Sequence, residues 1–257
     1  LRSPRGLFVR FQVNILSRWI DDLKPSALAL QEVRLSKEAQ LYCADRLPFL
    51  GLNPVFGAPF AYQSWLGRPN QTIWNAIAGG TLVGAVAPSP IRELPKDQEQ
   101  DELHEFGRWT RAAIPLGSGN RSFQVTSFYG PPKGDAIRKN HADKLLKLLF
   151  ECSRDFGSQM PAVICCDINR NPDECAYLRM AMARTGWTDL GQLQHGEGDA
   201  PPTYCQSGSA HKGMTGPGCT RIDLILANQV ALAAFESYQQ IYGQGIAKHA
   251  MLTATYP

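Results

Sequence analysis

Hydrophobic positions recur along the chain with two different periods. Phe8, Phe11, Ile15, Leu16, Trp19, Ile20 and Leu23 fall at three- and four-residue steps, which predicts a helix over roughly 7–23 that stops before Pro25. "ALALQ" (27–31) reads as a buried strand. "SKEAQLYCADRL" (36–47) reads as a helix with Ser36 as its N-cap. "AIAGGTLVGAVA" (76–87) is strand-like, with glycines that suit a bulge or a close backbone approach. Residues 88–105 are rich in Pro and acids and read as a surface loop. "WTRAAIPL" and "RSFQVTSFYG" form a hairpin pattern around Gly117-Ser118-Gly119-Asn120. Residues 135–152 follow as an amphipathic helix with Leu145, Leu146, Leu148 and Leu149 on one side. "PAVICCDI" is the next strand, and Asp173 and Glu174 open a helix that ends near Gly186. "RIDLILAN" and "HAMLTATY" are the last strands. Strands and helices are mixed throughout, so the fold class is α/β, and no break in composition marks a second domain.

Composition narrows this only a little. Of 257 residues, 44% are hydrophobic and 19% charged, the balance of an ordinary globular chain. The net charge of +3 permits an anionic partner without requiring one. No apolar run approaches the ~18 residues that span a bilayer. The chain opens on Leu1 rather than Met, as a fragment or processed form does. Its seven Cys are odd in number and include no C-x-x-C pair, which argues against a zinc site. Cys165 and Cys166 sit in an apolar run as small hydrophobes. We therefore expect an intracellular, reducing compartment, nucleus and organelle not being distinguishable. A bridge between Cys205 and Cys219, which flank a Gly-rich loop, stays open.

The chemistry gathers where apolar strands end. Glu32 closes "ALALQE", Tyr129 closes "QVTSFY", and Asp167 and Asn169 close "AVICCDIN". Asp223 lies in "RIDLIL" and His249 opens "HAMLTATY". Singly, each has an ordinary reading: Asp and Asn start turns, Tyr packs with its hydroxyl in water, Asp223 pairs with neighbouring Arg221, and His249 is a surface imidazole. Side-chain alternation would instead point Asp167 and Asn169 the same way. Together the six groups fit metal-assisted hydrolysis of a phosphate ester. Glu offers a hard oxygen to Mg²⁺, Asp handles a water, and a carboxylate-oriented imidazole donates to a phosphoryl oxygen.

In this order "LQEVR" (30–34), "GGTLVGAV" (79–86), "SFYGPP" (127–132), "CDINRNP" (166–172), "RIDLILAN" (221–228) and "KHAMLTA" (248–254) resemble the motifs of the endonuclease/exonuclease/phosphatase superfamily. "GWTDL" (186–190) and "PPTYC" (201–205) match weaker positions. The resemblance spans nearly the whole chain and is greatest to the apurinic-type endonuclease domains of LINE-type retrotransposons. It implies one domain over 1–257, built as a four-layer α/β sandwich of two mainly antiparallel sheets with flanking helices. It also implies roles. Glu32 would be the main metal ligand, with Mg²⁺ or Mn²⁺ as cofactor. Tyr129 would contact the scissile phosphate. Asp167, beside Asn169, would position or activate the attacking water. Asp223 would orient His249, and His249 would stabilise the pentacovalent phosphate.

Two positions depart from the pattern. The family carries Asp directly before the last His, where this chain has Lys248. It also opens with a strand ending in Asn, where "SPRGL" (3–7) puts Ser3, so the first strand is truncated or degenerate. Three readings follow. The first is a Mg²⁺-dependent endonuclease, a hydrolase acting on DNA, with phosphate contacts drawn from Arg34, Arg68, Lys133, Arg138, Lys139 and Arg170 or with these as plain solvated surface. The second is a phosphatase of the same fold acting on a small phosphorylated substrate. The third is a degenerate copy without a cofactor that serves as a binding or structural subunit with protein partners.

Overall fold

The computed structural model describes residues 4–33, 35–58, 80–86, 88–94, 103, 107–116, 121–132, 136–157, 159–196, 198–206, 216, 218–244 and 248–257; over 4–13, 136–138 and 154–157 only the helical course is described. Ser3, Arg34, Arg68 and Lys133 lie outside the described residues, as does the side chain of Arg138.

Helix α1 (Pro4–Leu23) takes up the first periodic stretch, and the chain leaves it through a left-handed Lys24, φ 46°, ahead of Pro25. β1 (Ala27–Gln31) follows, then α2 (Lys37–Arg46), whose first turn is capped by the Ser36 hydroxyl accepting from the Ala39 amide at 3.3 Å. β2 (Leu52–Phe56) and β3 (Thr81–Val86) join β1 in a three-stranded antiparallel sheet with β3 in the middle. Position explains burial here. β3 is almost wholly buried, whereas β1, an edge strand, is only half-buried. Leu16 and Trp19 of α1 and Cys43 of α2 pack against Leu52 and Leu82 on the outer face of this sheet.

The second sheet has six strands. They are β4 (Arg92–Glu93), β5 (Trp109–Pro115), β6 (Ser122–Tyr129), β7 (Ala162–Asp167), β8 (Thr188–Asp189) and β11 (Asp223–Ala227), in the order β4-β5-β6-β7-β11-β8. β6 and β7 are parallel because α3 (Ala136–Gly157) returns the chain between them; the other pairs are antiparallel. Leu145, Leu146, Leu149 and Phe150 of α3, with Leu178 of α4 (Ala176–Thr185), cover one face through Phe128, Ile164, Cys166, Leu224 and Leu226. Alternate residues of the same strands, Val125, Val163 and Ile225, meet Val83 and Ala85 of the first sheet. Helices, sheet, sheet and helices thus form the four layers that the family resemblance implies. The remaining elements are α5 (Leu190–His195), the short pair β9 (Tyr204–Cys205) and β10 (Cys219–Thr220), α6 (Gln229–Leu232), and an antiparallel pair β12 (Ser237–Ile241) and β13 (Met251–Thr255).

Several expectations need correction. The 88–105 stretch contains β4 and the fully buried Leu103, so it is not surface throughout. Asp173 and Glu174 lie in a 3-10 turn, Pro172–Glu174, and α4 starts after it. Arg221 pairs with buried Asp189, not with Asp223. Cys205 and Cys219 are joined by a disulfide, in which Cys43, Cys152, Cys165, Cys166 and Cys175 take no part. The bridge does not point to a reducing compartment, since such bonds persist in oxidising ones. Cys165 and Cys166 do sit among apolar residues, and burial pushes the Cys165 thiol up to about 12. Among the described residues no helix is long and apolar enough to cross a membrane.

Candidate active site

Three strands of the second sheet run in register toward one rim. Val125, Val163 and Ala227 form one row across β6, β7 and β11, and Ser127, Cys165 and Ile225 the next. Tyr129, Asp167 and Asp223 form the row after that, at the rim. Residues directly opposite on neighbouring strands share a face, and steps of two keep it. The rim row therefore continues the face that packs between the sheets. An apolar interior ends in a phenol and two carboxylates, one of which, Asp167, is only 5% exposed.

His249 completes the row. It makes an isolated bridge with Tyr204, its ring centroid is 4.9 Å from that of Tyr204, and its Nδ1 lies 3.0 and 3.2 Å from the two carboxylate oxygens of Asp223. An ionised carboxylate only accepts, so against one Nδ1 carries the proton and Nε2 is left for other work. Ligand atoms of Asp167, Asp223 and His249 lie within 4.8 Å of one another. A second carboxylate so close raises the proton affinity of Asp167. Burial and then Asp223 push Asp167 up to about 8, against the opposing pull of His249, the Asn169 amide and Arg108. Burial alone would lower His249, but its hydrogen bond to Asp223 and the charges of Asp223 and Asp167 carry it above its ordinary 6.5.

The turn after β7 corrects one expectation. The strand ends at Asp167, and Asn169 takes a left-handed conformation, φ 54°. Simple alternation does not set its direction. Its amide N–H donates to Asp167 Oδ1 at 2.8 Å, and its Nδ2 donates to the Gly130 carbonyl at 2.9 Å. Asp167 thus starts a turn and also faces the site. Gly130 is required here: a Cβ would meet the Ile168 backbone oxygen at 2.9 Å, and its own N–H donates to the Asp167 carbonyl at 2.6 Å.

Glu32 follows β1 in the other sheet. Gln31 Nε2 donates to Ser127 Oγ at 2.9 Å and to the Cys165 carbonyl at 3.0 Å, and Ser127 Oγ donates to the Leu30 carbonyl at 2.8 Å. These bonds seat the end of β1, just before Glu32, over the Ser127–Cys165 row. Glu32 is half-buried and holds φ 55°, a conformation costing a non-glycine residue about 1–2 kcal/mol.

The positive residues sort differently. Lys248 is exposed, and its carbonyl accepts from the Cys205 amide at 2.9 Å. Arg170 is turned onto α3, where it pairs with Asp143 at 2.7 Å and donates to the Lys139 carbonyl at 2.9 Å. Sequence reasoning missed Arg108. Its guanidinium is buried, lies 4.8 Å from the Tyr129 ring centroid and donates to the Gly130 carbonyl at 3.4 Å. The available signal was an arginine directly before the apolar run "WTRAAIPL".

No family model and no curated protein matches the sequence. Solved structures do. The 3′ phosphatase NExo of Neisseria, bound to a product DNA hairpin, superposes with a TM-score of 0.68 at 15% identity, over 97% of this chain and 95% of that one. An AP endonuclease of Archaeoglobus fulgidus gives 0.67 at 16%, over 96% and 95%. The endonuclease domain of TRAS1, a telomere-specific non-LTR retrotransposon, gives 0.59 at 12%, over 95% and 91%. Layering, strand register and these superpositions agree: the chain has the α/β-sandwich fold of the endonuclease/exonuclease/phosphatase superfamily.

Proposed function

We propose that the chain, acting as one unit over 1–257, hydrolyses phosphodiester bonds in DNA as a divalent-metal-dependent endonuclease. The observation that carries this is the rim row of Tyr129, Asp167 and Asp223 with His249 hydrogen-bonded to Asp223. Similarity of fold to an AP endonuclease, and to a 3′ phosphatase held with a product DNA hairpin, supports it. The retrotransposon kind is the finer form of the same reading and rests on the sequence motifs.

The residues divide the labour as follows. Asp167, whose proton affinity is high for a carboxylate, holds the attacking water and takes its proton. Asp223 fixes the His249 tautomer, so Nε2 donates to the phosphoryl oxygen on which charge builds. Tyr129 and Asn169 offer further donors beside it. The donor set fits a hard divalent cation, because crowded carboxylates at a buried rim are the chemistry such an ion neutralises. Glu32 would hold it, and the ion would supply charge neutralisation and polarise the phosphate.

One departure favours a second reading, a binding or structural subunit that no longer cuts. Lys248 sets an ammonium next to His249, where the family pattern has a carboxylate. Nicking of supercoiled plasmid with Mg²⁺ or Mn²⁺, by the natural chain and by Asp167→Asn, decides between them. Metal-dependent nicking that falls at least a hundredfold in the variant supports the hydrolase. DNA retention without nicking in any metal supports the subunit and overturns the hydrolase.

A further inference from the structure

Asp223 and His249 come from segments 26 residues apart, and one buried residue touches the chain at both, by its hydroxyl at one and its carbonyl at the other. Thr203 is wholly buried. Its Oγ1 accepts from the Ile222 amide at 3.0 Å and from the Asp223 amide at 2.9 Å. Its carbonyl accepts from the Ala250 amide at 2.7 Å, and its own N–H donates to the Thr220 carbonyl at 3.1 Å. Successive amides of a regular strand point to opposite edges. Here two of them reach one oxygen, so the chain is turned just where β11 begins, and that turn sets the direction of the Asp223 carboxylate. Main-chain bonds on either side of His249, Ala250 to Thr203 and Cys205 to the Lys248 carbonyl, hold the histidine against the same short strand.

We infer that Thr203 is a positioning residue: its hydroxyl oxygen and its carbonyl lock Asp223 and His249 into the orientation in which they meet. The hydroxyl does what no apolar side chain of the same shape can do, since the Ile222 and Asp223 amides both end on it. Neighbours that hold a catalytic or metal-bound histidine in place are commonly worth 10–100-fold in activity. The inference rests on the hydrolase reading for its effect on rate, but not for its effect on geometry.

The test is Thr203→Val, which keeps shape and removes the acceptor, beside Thr203→Ser, which keeps the acceptor. The first readout needs no substrate. In the natural chain the His249 Nδ1 proton should give a downfield ¹H–¹⁵N signal from its bond to Asp223. Thr203→Val should lose or strongly shift that signal, and Thr203→Ser should restore it. The second readout is nicking: kcat should fall roughly 10–100-fold in Thr203→Val with KM nearly unchanged, and recover in Thr203→Ser. Should Thr203→Val not fold, Thr203→Cys, whose sulfur is a weaker acceptor, is read in the same way. A signal unchanged in a folded Val or Cys variant overturns the inference, even if that variant melts earlier. If the natural chain does not nick, the hydrolase reading fails while the signal still decides the role of Thr203.

Discussion

Replacing Asp167 by Asn should make the protein more stable, and increasingly so as the pH rises. Burial and the facing Asp223 carry the Asp167 carboxyl from its ordinary 3.8 to about 8. A raised carboxyl binds its proton more tightly in the folded than in the unfolded chain. Folding stability therefore falls as the pH climbs from about 4 through the folded value near 8. At about 1.4 kcal/mol per pKa unit, that interval caps the loss at ~6 kcal/mol. Relaxation of the site, with an effective dielectric nearer ~20 than ~4, reduces it to an expected ~2–3 kcal/mol. An asparagine oxygen can still accept from the Asn169 amide, so the turn is kept. His249, raised above its ordinary 6.5, adds a slope of the same sign. Its contribution is full below that value and lost as the pH passes its folded pKa, and it is largely common to both proteins. The assay is urea unfolding of both proteins at pH 4.5, 6.5 and 8.5 in a chelator. The variant should match the natural chain at the lowest pH and exceed it by ~2–3 kcal/mol at the highest. Adding Mg²⁺ at pH 8.5 should narrow the gap, because only the natural carboxylate gains from a cation. A stability difference that does not change with pH would refute the reasoning, since the carboxyl would then titrate alike in both states.

Two further outcomes follow from single features of the fold. Asn169→Ala should cost about 2–3 kcal/mol by thermal melting, from the left-handed φ of 54° and the lost bond to the Gly130 carbonyl, while Asn169→Gly, free of the backbone term, should cost about half of that. Asp189→Ala should cost about 3–5 kcal/mol in urea, because it strands the buried guanidinium of Arg221, and combining it with Arg221→Met should recover most of that loss; a double variant no better than the single one would mean that the pair is not the origin of the cost.

The sequence shows the layered fold well because the fold is written in local periods. Alternation in "PAVICCDI" puts Val163 and Cys165 on one face and Ile164 and Cys166 on the other, and the two faces do pack against different layers. The helical spacing of Leu145, Leu146 and Leu149 likewise predicts which side of α3 is buried. Register is not local. That Tyr129 stands beside Asp167, and Asp167 beside Asp223, depends on how three distant strands align. No period in the sequence encodes that, and only the order of family-like motifs suggested it. Arg108, Thr203 and the disulfide were missed or left open for the same reason, since each acts through partners on other strands.

What a local reading does expose is contradiction. An interior strand that follows its apolar period for five residues and then places an acid on the same face breaks the rule that buried charge is avoided. The structure does not relieve the contradiction by turning Asp167 outward. It keeps the carboxyl buried and sets a second one beside it in register. Two nearby residues, Glu32 and Asn169, also hold left-handed conformations that glycine would adopt without strain. Stability alone would favour removing each of these features. A fold retains such costs where the groups have work to do, and here Asp167, Asp223 and Asn169 meet at one rim of the sandwich. The expected gain in stability of Asp167→Asn is the direct measure of that cost. If removing the carboxylate also ends cutting, the same atom will have been shown to weaken the fold and to serve the chemistry.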